Sequence, residues 1–179
     1  MTLQDMMLEV AQNTFAKIVL PYNPISDPKN NATKILTGLN AVYKKIAKER
    51  YNLVFTENVT LDSNLSFDTN SLTKKFYKIK SLTFNGCDVE WNNAEIIVCP
   101  FNVVGNILTI VYCYIPNDLT FTNMLEEPLV KCDHRVLCYY ASFQFLMGNG
   151  QDTQSWLDLF NDGFDNIRQT RGKSRRVGG

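Results

Sequence analysis

The one histidine of this 179-residue chain, His134, stands in Cys132-Asp133-His134, with Cys138 four residues further on. Imidazole and thiolate are zinc ligands, and a helix would bring His134 and Cys138 onto one face. A structural zinc site closes with four ligands. Cys132 would lie before that helix, and the fourth ligand would have to come from a strand cysteine, with no second closely spaced pair present. The expectation is buried or half-buried thiols beside a helix-start histidine, with no metal and no other cofactor. A single histidine also confines Ser-His or Cys-His catalysis to arrangements through His134, and no Gly-x-Ser-x-Gly elbow is present. Glu126-Glu127 is an acidic pair, but a hydrolase dyad needs its two carboxylates across a cleft. Phosphate-cradling glycine loops are absent too. No catalytic residue is assigned, and the chain is not expected to be an enzyme.

Nucleic-acid binding has a more concrete basis. Phe76, Tyr77, Phe84 and Trp91 lie near Lys74, Lys75, Lys78 and Lys80, and stacking aromatics beside cations are how sheet platforms hold single strands. Strand alternation puts Phe76, Lys78 and Lys80 on one face and Tyr77, Ile79 and Leu82 largely on the other. That is ordinary sheet patterning, and it is the favoured reading.

The totals are those of a folded protein: 45% hydrophobic residues, 20% charged and a formal net charge of +0. No whole-chain field draws in nucleic acid or an anionic membrane. The neutrality is uneven. From Asn166 onward Arg168, Arg171, Lys173, Arg175 and Arg176 accompany no acid. Five cysteines at irregular spacing imply reduced thiols made in a cytoplasm. Met1-Thr2-Leu3-Gln4-Asp5 lacks the basic start and apolar run of a leader, and no apolar stretch approaches the ~20 residues that span a bilayer, so a soluble protein is expected.

The elements follow from periodicity. Leu3, Met6, Met7, Val10, Thr14 and Ile18 recur at helical steps and predict a first helix that stops before Leu20-Pro21. Pro21, Pro24 and Pro28 mark an irregular linker. A second helix starts near Asn31–Thr33, buries Ile35, Leu39, Val42, Tyr43 and Ile46, and wets Lys44, Lys45, Lys48 and Glu49. From Asn52 to Asp118 the period becomes two. Strands are expected at 53–61, around 65–67, and at 76–84, 89–91, 95–99 and 108–115, with Asn85-Gly86 the best hairpin signal. Close-set strands with no intervening helix mean an antiparallel sheet. Beyond the acidic connection, Asp133–Met147 reads as a helix apolar nearly all round, closed by Gly148-Asn149-Gly150, and covered by its own chain or by neighbours in an oligomer. A last helix begins near Asp152/Thr153, packs Trp156, Leu157, Phe160, Phe164 and Ile167, and carries Arg168 and Arg171 in its final turn.

The expected fold class is therefore α+β: a helical bundle of two N-terminal and two C-terminal helices with a central antiparallel β insertion. Residues 1–51 and 119–172 would form the helical body, 52–118 the insertion and 173–179 a basic tail.

The order of elements and several short stretches carry a resemblance. These are Leu39-Asn40-Ala41-Val42-Tyr43-Lys44-Lys45-Ile46-Ala47, Lys75-Phe76-Tyr77-Lys78-Ile79-Lys80-Ser81-Leu82, and the Tyr112-x-Tyr114-x-Pro116 strand running into Glu126-Glu127-Pro128-Leu129. His134-Arg135-Val136-Leu137-Cys138-Tyr139-Tyr140-Ala141, Phe145-Leu146-Met147-Gly148 and the Trp156/Phe160/Phe164 helix follow. On these the chain resembles the head–tail connector (adaptor) proteins of tailed bacteriophages. The resemblance implies a virion ring subunit, commonly of twelve copies, made in a bacterial cytoplasm and docked on the portal. Other neck or tail proteins would contact it, and DNA would only pass through its lumen. It also implies that the end of the last helix and the tail contact the portal, through Asn166, Ile167, Arg168, Arg171, Lys173, Arg175, Arg176 and Val177. Tyr139, Tyr140, Phe143, Trp156, Phe160 and Phe164 are the expected subunit-packing residues. A single-strand-binding module built on the β block and another neck or tail-completion protein remain the alternatives.

Overall fold

A computed structural model describes residues 1–18, 30–62, 66–91, 96–98, 107–120 and 132–167. It is an α+β fold with a central β insertion, and it divides into two compact units. One comprises residues 1–51 and 118–179, the other 52–117.

The first unit holds four α-helices among the described residues: α1 (Leu3–Asn13), α2 (Asn31–Ile46), α3 (His134–Met147) and α4 (Gln154–Asn166). The α1 start is closed by a capping box. Thr2 Oγ1 accepts from the Asp5 N–H at 3.1 Å, and the Asp5 carboxylate accepts from the Thr2 N–H at 2.8 Å. The bond from the Thr2 N–H, followed by the Thr2 side chain, holds the Asp5 carboxyl below its ordinary range. The helix ends sooner than its apolar stripe predicts, at Asn13. Thr14 turns its hydroxyl back onto the Val10 carbonyl at 2.7 Å, and Phe15 takes the left-handed conformation at φ 52°. Phe15 N–H then reaches Gln12 O and Ala16 N–H reaches Ala11 O, the paired closure that glycine usually allows.

In α2 the predicted stripe is fully buried, with Ile35, Leu39, Val42 and Ile46 all at 0% exposure. Its cap differs from the expectation. Asn30 is the N-cap in a left-handed conformation, and its side chain accepts from the Thr33 hydroxyl rather than from a backbone N–H. The helix runs on into a π turn at Ala47–Tyr51.

Helix α3 is central to this unit and packs against α1, α2 and α4. Its all-round apolar character therefore has a cause within one chain, since each neighbour covers a different side. Two close approaches set these crossings. A Cβ on Gly38 of α2 would lie 3.2 Å from the Ala141 Cα, and one on Gly163 of α4 would lie 2.6 Å from the Val136 Cγ2. Asp133 caps α3 by accepting from the Arg135 N–H at 3.0 Å. Gly150 takes φ 70° just after the helix end.

The second unit carries β1 (Val54–Thr60), β2 (Ser66–Asp68), β3 (Phe76–Phe84), β4 (Cys87–Asp88), β5 (Ile96–Val98) and β6 (Ile107–Tyr114). A four-stranded sheet has the order β1-β6-β3-β4 and a two-stranded sheet joins β2 to β5, every pairing antiparallel. The Asn85-Gly86 hairpin forms as the sequence predicts, both residues having positive φ, as a two-residue primed turn requires. The strand expected at Val89–Trp91 lies two residues earlier, at Cys87–Asp88. The turn dictates it, by setting Cys87 opposite Phe84. Two register shifts interrupt the pairing of β3 with β6, near Tyr77 and Lys80. They break the simple alternation, so Tyr77, expected on the face of Ile79 and Leu82, is 43% exposed while those two are buried, and the Phe76 ring centroid lies 6.0 Å from that of Tyr112.

The linker prolines, the acidic pair Glu126-Glu127, the turn at Gly105-Asn106 and everything from Arg168 onward lie outside the described residues.

Candidate docking surface

The residues expected to pack subunits together meet within a single chain. Tyr139 and Trp156 have ring centroids 6.1 Å apart, Tyr140 and Phe143 5.8 Å, Tyr140 and Phe160 4.8 Å, and Phe160 and Phe164 5.3 Å. Together they form an aromatic seam along the α3–α4 interface, with contacts in the range of favourable ring pairs. Phe160 is only 2% exposed, so it is committed to this interior seam and is not free to meet another subunit. Tyr139, Tyr140, Phe143, Trp156 and Phe164 are half-buried, leaving part of each ring on the surface.

The seam is locked at the far end of α4. Arg50, in the π turn, lays its guanidinium 3.9 Å from the Phe164 ring centroid and bonds Asp165 at 2.6 Å. Lys45 approaches the same ring at 5.5 Å. A cation over a ring face is attracted by the ring quadrupole, and a planar guanidinium can stack and donate to a carboxylate at once. Local sequence carries no signal for this clamp, because 115 residues separate its two sides.

Of the expected portal-docking residues, the structure describes two. Asn166 is exposed and donates to the Asp162 carbonyl at 2.8 Å, whereas Ile167 is buried at 8% exposure. Ile167 thus anchors the end of α4 in the helical unit instead of projecting outward. Arg168, Arg171, Lys173, Arg175, Arg176 and Val177 lie outside the described residues, so the placement of Arg168 and Arg171 in a final helical turn does too.

Of the residues singled out for metal chemistry, Cys138 lies in the helical core, while Cys132 and His134 are half-buried at the start of α3. Cys138 is fully buried, with its sulfur 3.8 Å from the Met6 carbonyl oxygen, and burial pushes its thiol up to about 12. Burial and the adjacent Asp133 push Cys132 up to about 11. A thiol held protonated is a poor nucleophile. Among the described residues no three His, Cys, Asp or Glu side chains converge on a possible ion site. A groove of about 350 Å³ opens between α2 and the end of α3, beside Gly38 and Phe145. Its walls carry neither carboxylate nor imidazole, so it holds no acid–base pair.

In the β unit one polar cluster is tightly built. The Glu57 carboxylate accepts from the Tyr112 hydroxyl at 2.7 Å, the Thr73 hydroxyl at 2.6 Å and the Thr73 N–H at 3.0 Å. Tyr112 O in turn accepts from the Lys74 N–H at 3.1 Å. Burial alone would raise the Glu57 carboxyl, but these bonds outweigh it and hold it below its ordinary value. Burial, followed by the Glu57 bond, pushes the Tyr112 hydroxyl well above its ordinary range. Every oxygen is satisfied internally, so the cluster staples residues 73–74 to the sheet rather than presenting a reactive group.

No helix among the described residues is long and apolar enough to cross a membrane. No protein-family model matches this chain, and no curated protein matches it in sequence.

Proposed function

We propose that this chain is a structural subunit of a tailed-phage neck: a head–tail adaptor that docks on the portal as a ring and bridges it to the next neck or tail component. The observation that carries this reading is the anchored end of α4. Ile167 is buried and Phe164 is held under Arg50, so the residue that immediately precedes the five cations in sequence is fixed in the helical unit. A cationic, acid-free segment can order on an acidic partner groove, its arginines giving forked hydrogen bonds to carboxylates. The order of helices and strands supports the same reading through its resemblance to connector proteins. In this role the copies form a ring, twelve by analogy, with DNA passing through the lumen. The virion would be the site of action, after synthesis in a bacterial cytoplasm.

The test is reconstitution with portal rings, using the full chain and a chain ending at Ile167. The full chain is expected to decorate the portal as a symmetric ring visible by electron microscopy, and the shortened chain to remain unbound. Docking that survives removal of residues 168–179 would refute the role given to the cations.

A second reading is favoured by one observation. Tyr77 is exposed beside exposed Lys78 and Lys80, an aromatic among cations on one strand. Single-stranded DNA binding that falls steeply with salt would support it, and no binding at low salt would end it.

A further inference from the structure

The two edges of the four-stranded sheet are built differently. One is the β3 side, where β4 faces Thr83 and Phe84 and the Val89 N–H bonds the Leu82 carbonyl at 2.8 Å. Beyond that cover β3 carries exposed Lys78 and Lys80 and both register shifts. Lysines and bulges on an edge discourage pairing with another chain. The other edge is β1. It pairs with β6 without a break over all seven residues, and it contains no lysine, arginine, proline or bulge. Its single charge, Glu57, is drawn onto Thr73 and Tyr112 of its own unit.

The hydrogen-bond parity of β1 is fixed by its neighbour. The Tyr114 N–H donates to the Leu53 carbonyl at 2.9 Å, and the register sets Val54 opposite Cys113. Facing residues in an antiparallel pair alternate between bonded and non-bonded. Leu53, Phe55, Glu57 and Val59 therefore bond to β6, while Val54, Thr56, Asn58 and Thr60 aim their N–H and C=O groups away from the sheet. Among the described residues those outward groups make no backbone hydrogen bond. The four side chains are exposed as well.

We propose that the β1 edge is a self-association site, at which two copies of this chain join β1 to β1 in antiparallel fashion and continue the sheet across a two-fold axis. The occupant follows by elimination. The β3 edge is guarded, and β2 and β5 span three residues each. The described strand with an open edge of matching length is β1 itself. Its sequence also suits self-pairing. With the axis at Asn58, Thr56 faces the second copy's Thr60, Asn58 faces Asn58, and Glu57 faces Val59, so no like charges oppose each other. An axis at Thr56 sets Glu57 opposite Phe55. The strand supplies about six backbone hydrogen bonds. So small an interface lies below the ~1,200 Å² of stable complexes, which places dissociation at about 10 µM to 1 mM. The proposal concerns the free protein and stands independently of the neck reading, because it needs no portal.

The experiment is sedimentation of the full chain from about 1 µM to about 1 mM, with amide hydrogen exchange measured at both ends of the range. The expected result is a reversible dimer. The amides of Thr56, Asn58 and Thr60 should slow as the dimer forms, about twofold at the top of the range for dissociation at 1 mM and about tenfold or more for dissociation near 10 µM, while those of Glu57 and Val59 stay protected throughout. Thr56→Lys sets a charge on the edge and is expected to weaken the dimer at least tenfold. Thr56→Pro removes an N–H that takes no part in the β1–β6 ladder, so it should give a folded monomer. Lys80→Ala, on the other edge, should leave the dimer unchanged. A wild-type monomer across the whole range overturns the proposal. So does a dimer that resists Thr56→Lys, or one abolished by Lys80→Ala.

Discussion

Gly163→Ala tests the packing of α4 on α3 at its tightest point. The added Cβ would sit 2.6 Å from the Val136 Cγ2, about 1 Å short of ordinary van der Waals contact. Val136 is 3% exposed and β-branched, with one strongly preferred rotamer in a helix, so its methyl has little room to yield. Overpacking of this kind costs about 1–3 kcal/mol. Alanine in place of glycine inside a helix returns about 1 kcal/mol. The net expectation is a loss of about 1 kcal/mol, with the aromatic seam loosened. The assay is urea unfolding followed by Trp156 fluorescence in a Trp91→Phe background, so that the signal reports the helical unit alone. Val136→Ala provides the decisive comparison. In that background the obstructing methyls are gone, and Gly163→Ala should become neutral or stabilising, giving a coupling of about 1–3 kcal/mol between the two sites. A higher urea midpoint for Gly163→Ala with Val136 intact would refute the reasoning.

Tyr112→Phe should destabilise the β unit by about 1–3 kcal/mol, since it leaves the Lys74 N–H without its partner and Glu57 Oε1 with only the Thr73 N–H; thermal unfolding of the variant measures this. The same cluster sets a pH window. The Glu57 carboxyl is held below its ordinary 4.5, so its contribution is present above 4.5 and is lost as pH falls through the lower native value. The Tyr112 hydroxyl is raised above 10.0, so its contribution is present below 10.0 and declines as pH climbs from there. Stability of the β unit against pH should show both arms, with the acid arm reduced in Glu57→Gln and the alkaline arm reduced in Tyr112→Phe. Phe15→Gly should raise the stability of the helical unit by about 1 kcal/mol, because the left-handed conformation penalises a side chain and not glycine. At 95% exposure the Phe15 ring forfeits almost no packing when removed, and a lower urea midpoint would contradict this.

Local pattern carried much of the fold. The α2 stripe, the extent of β3, the Asn85-Gly86 turn and the α3 start at Asp133 depend on neighbours within a few residues, and the structure places each as its sequence predicts. The misses share one physical origin. The stripe through Ile18 continues the helical period, but the Thr14 hydroxyl and the turn at Phe15 end α1 early, and a hydrophobic period has no information about such closure. Alternation along β3 failed at Tyr77 because bulges shift a strand's phase relative to its partner, a pairing property invisible in one strand. Glycine within the α2 and α4 helical patterns was the available hint of close approach at Gly38 and Gly163.

The candidate site divides along the same line. The sequence by itself determined which residues are aromatic, which are cationic and that the chain carries one histidine, since those are matters of identity and spacing. Only the tertiary structure decided that Phe160 and Ile167 face inward, that Arg50 grips Phe164 and Asp165, and that β1 is left with an open edge. Each of these depends on which distant segment covers a given surface. Burial, stacking and edge pairing are set by contacts between residues far apart in the chain, and local periodicity carries no record of them.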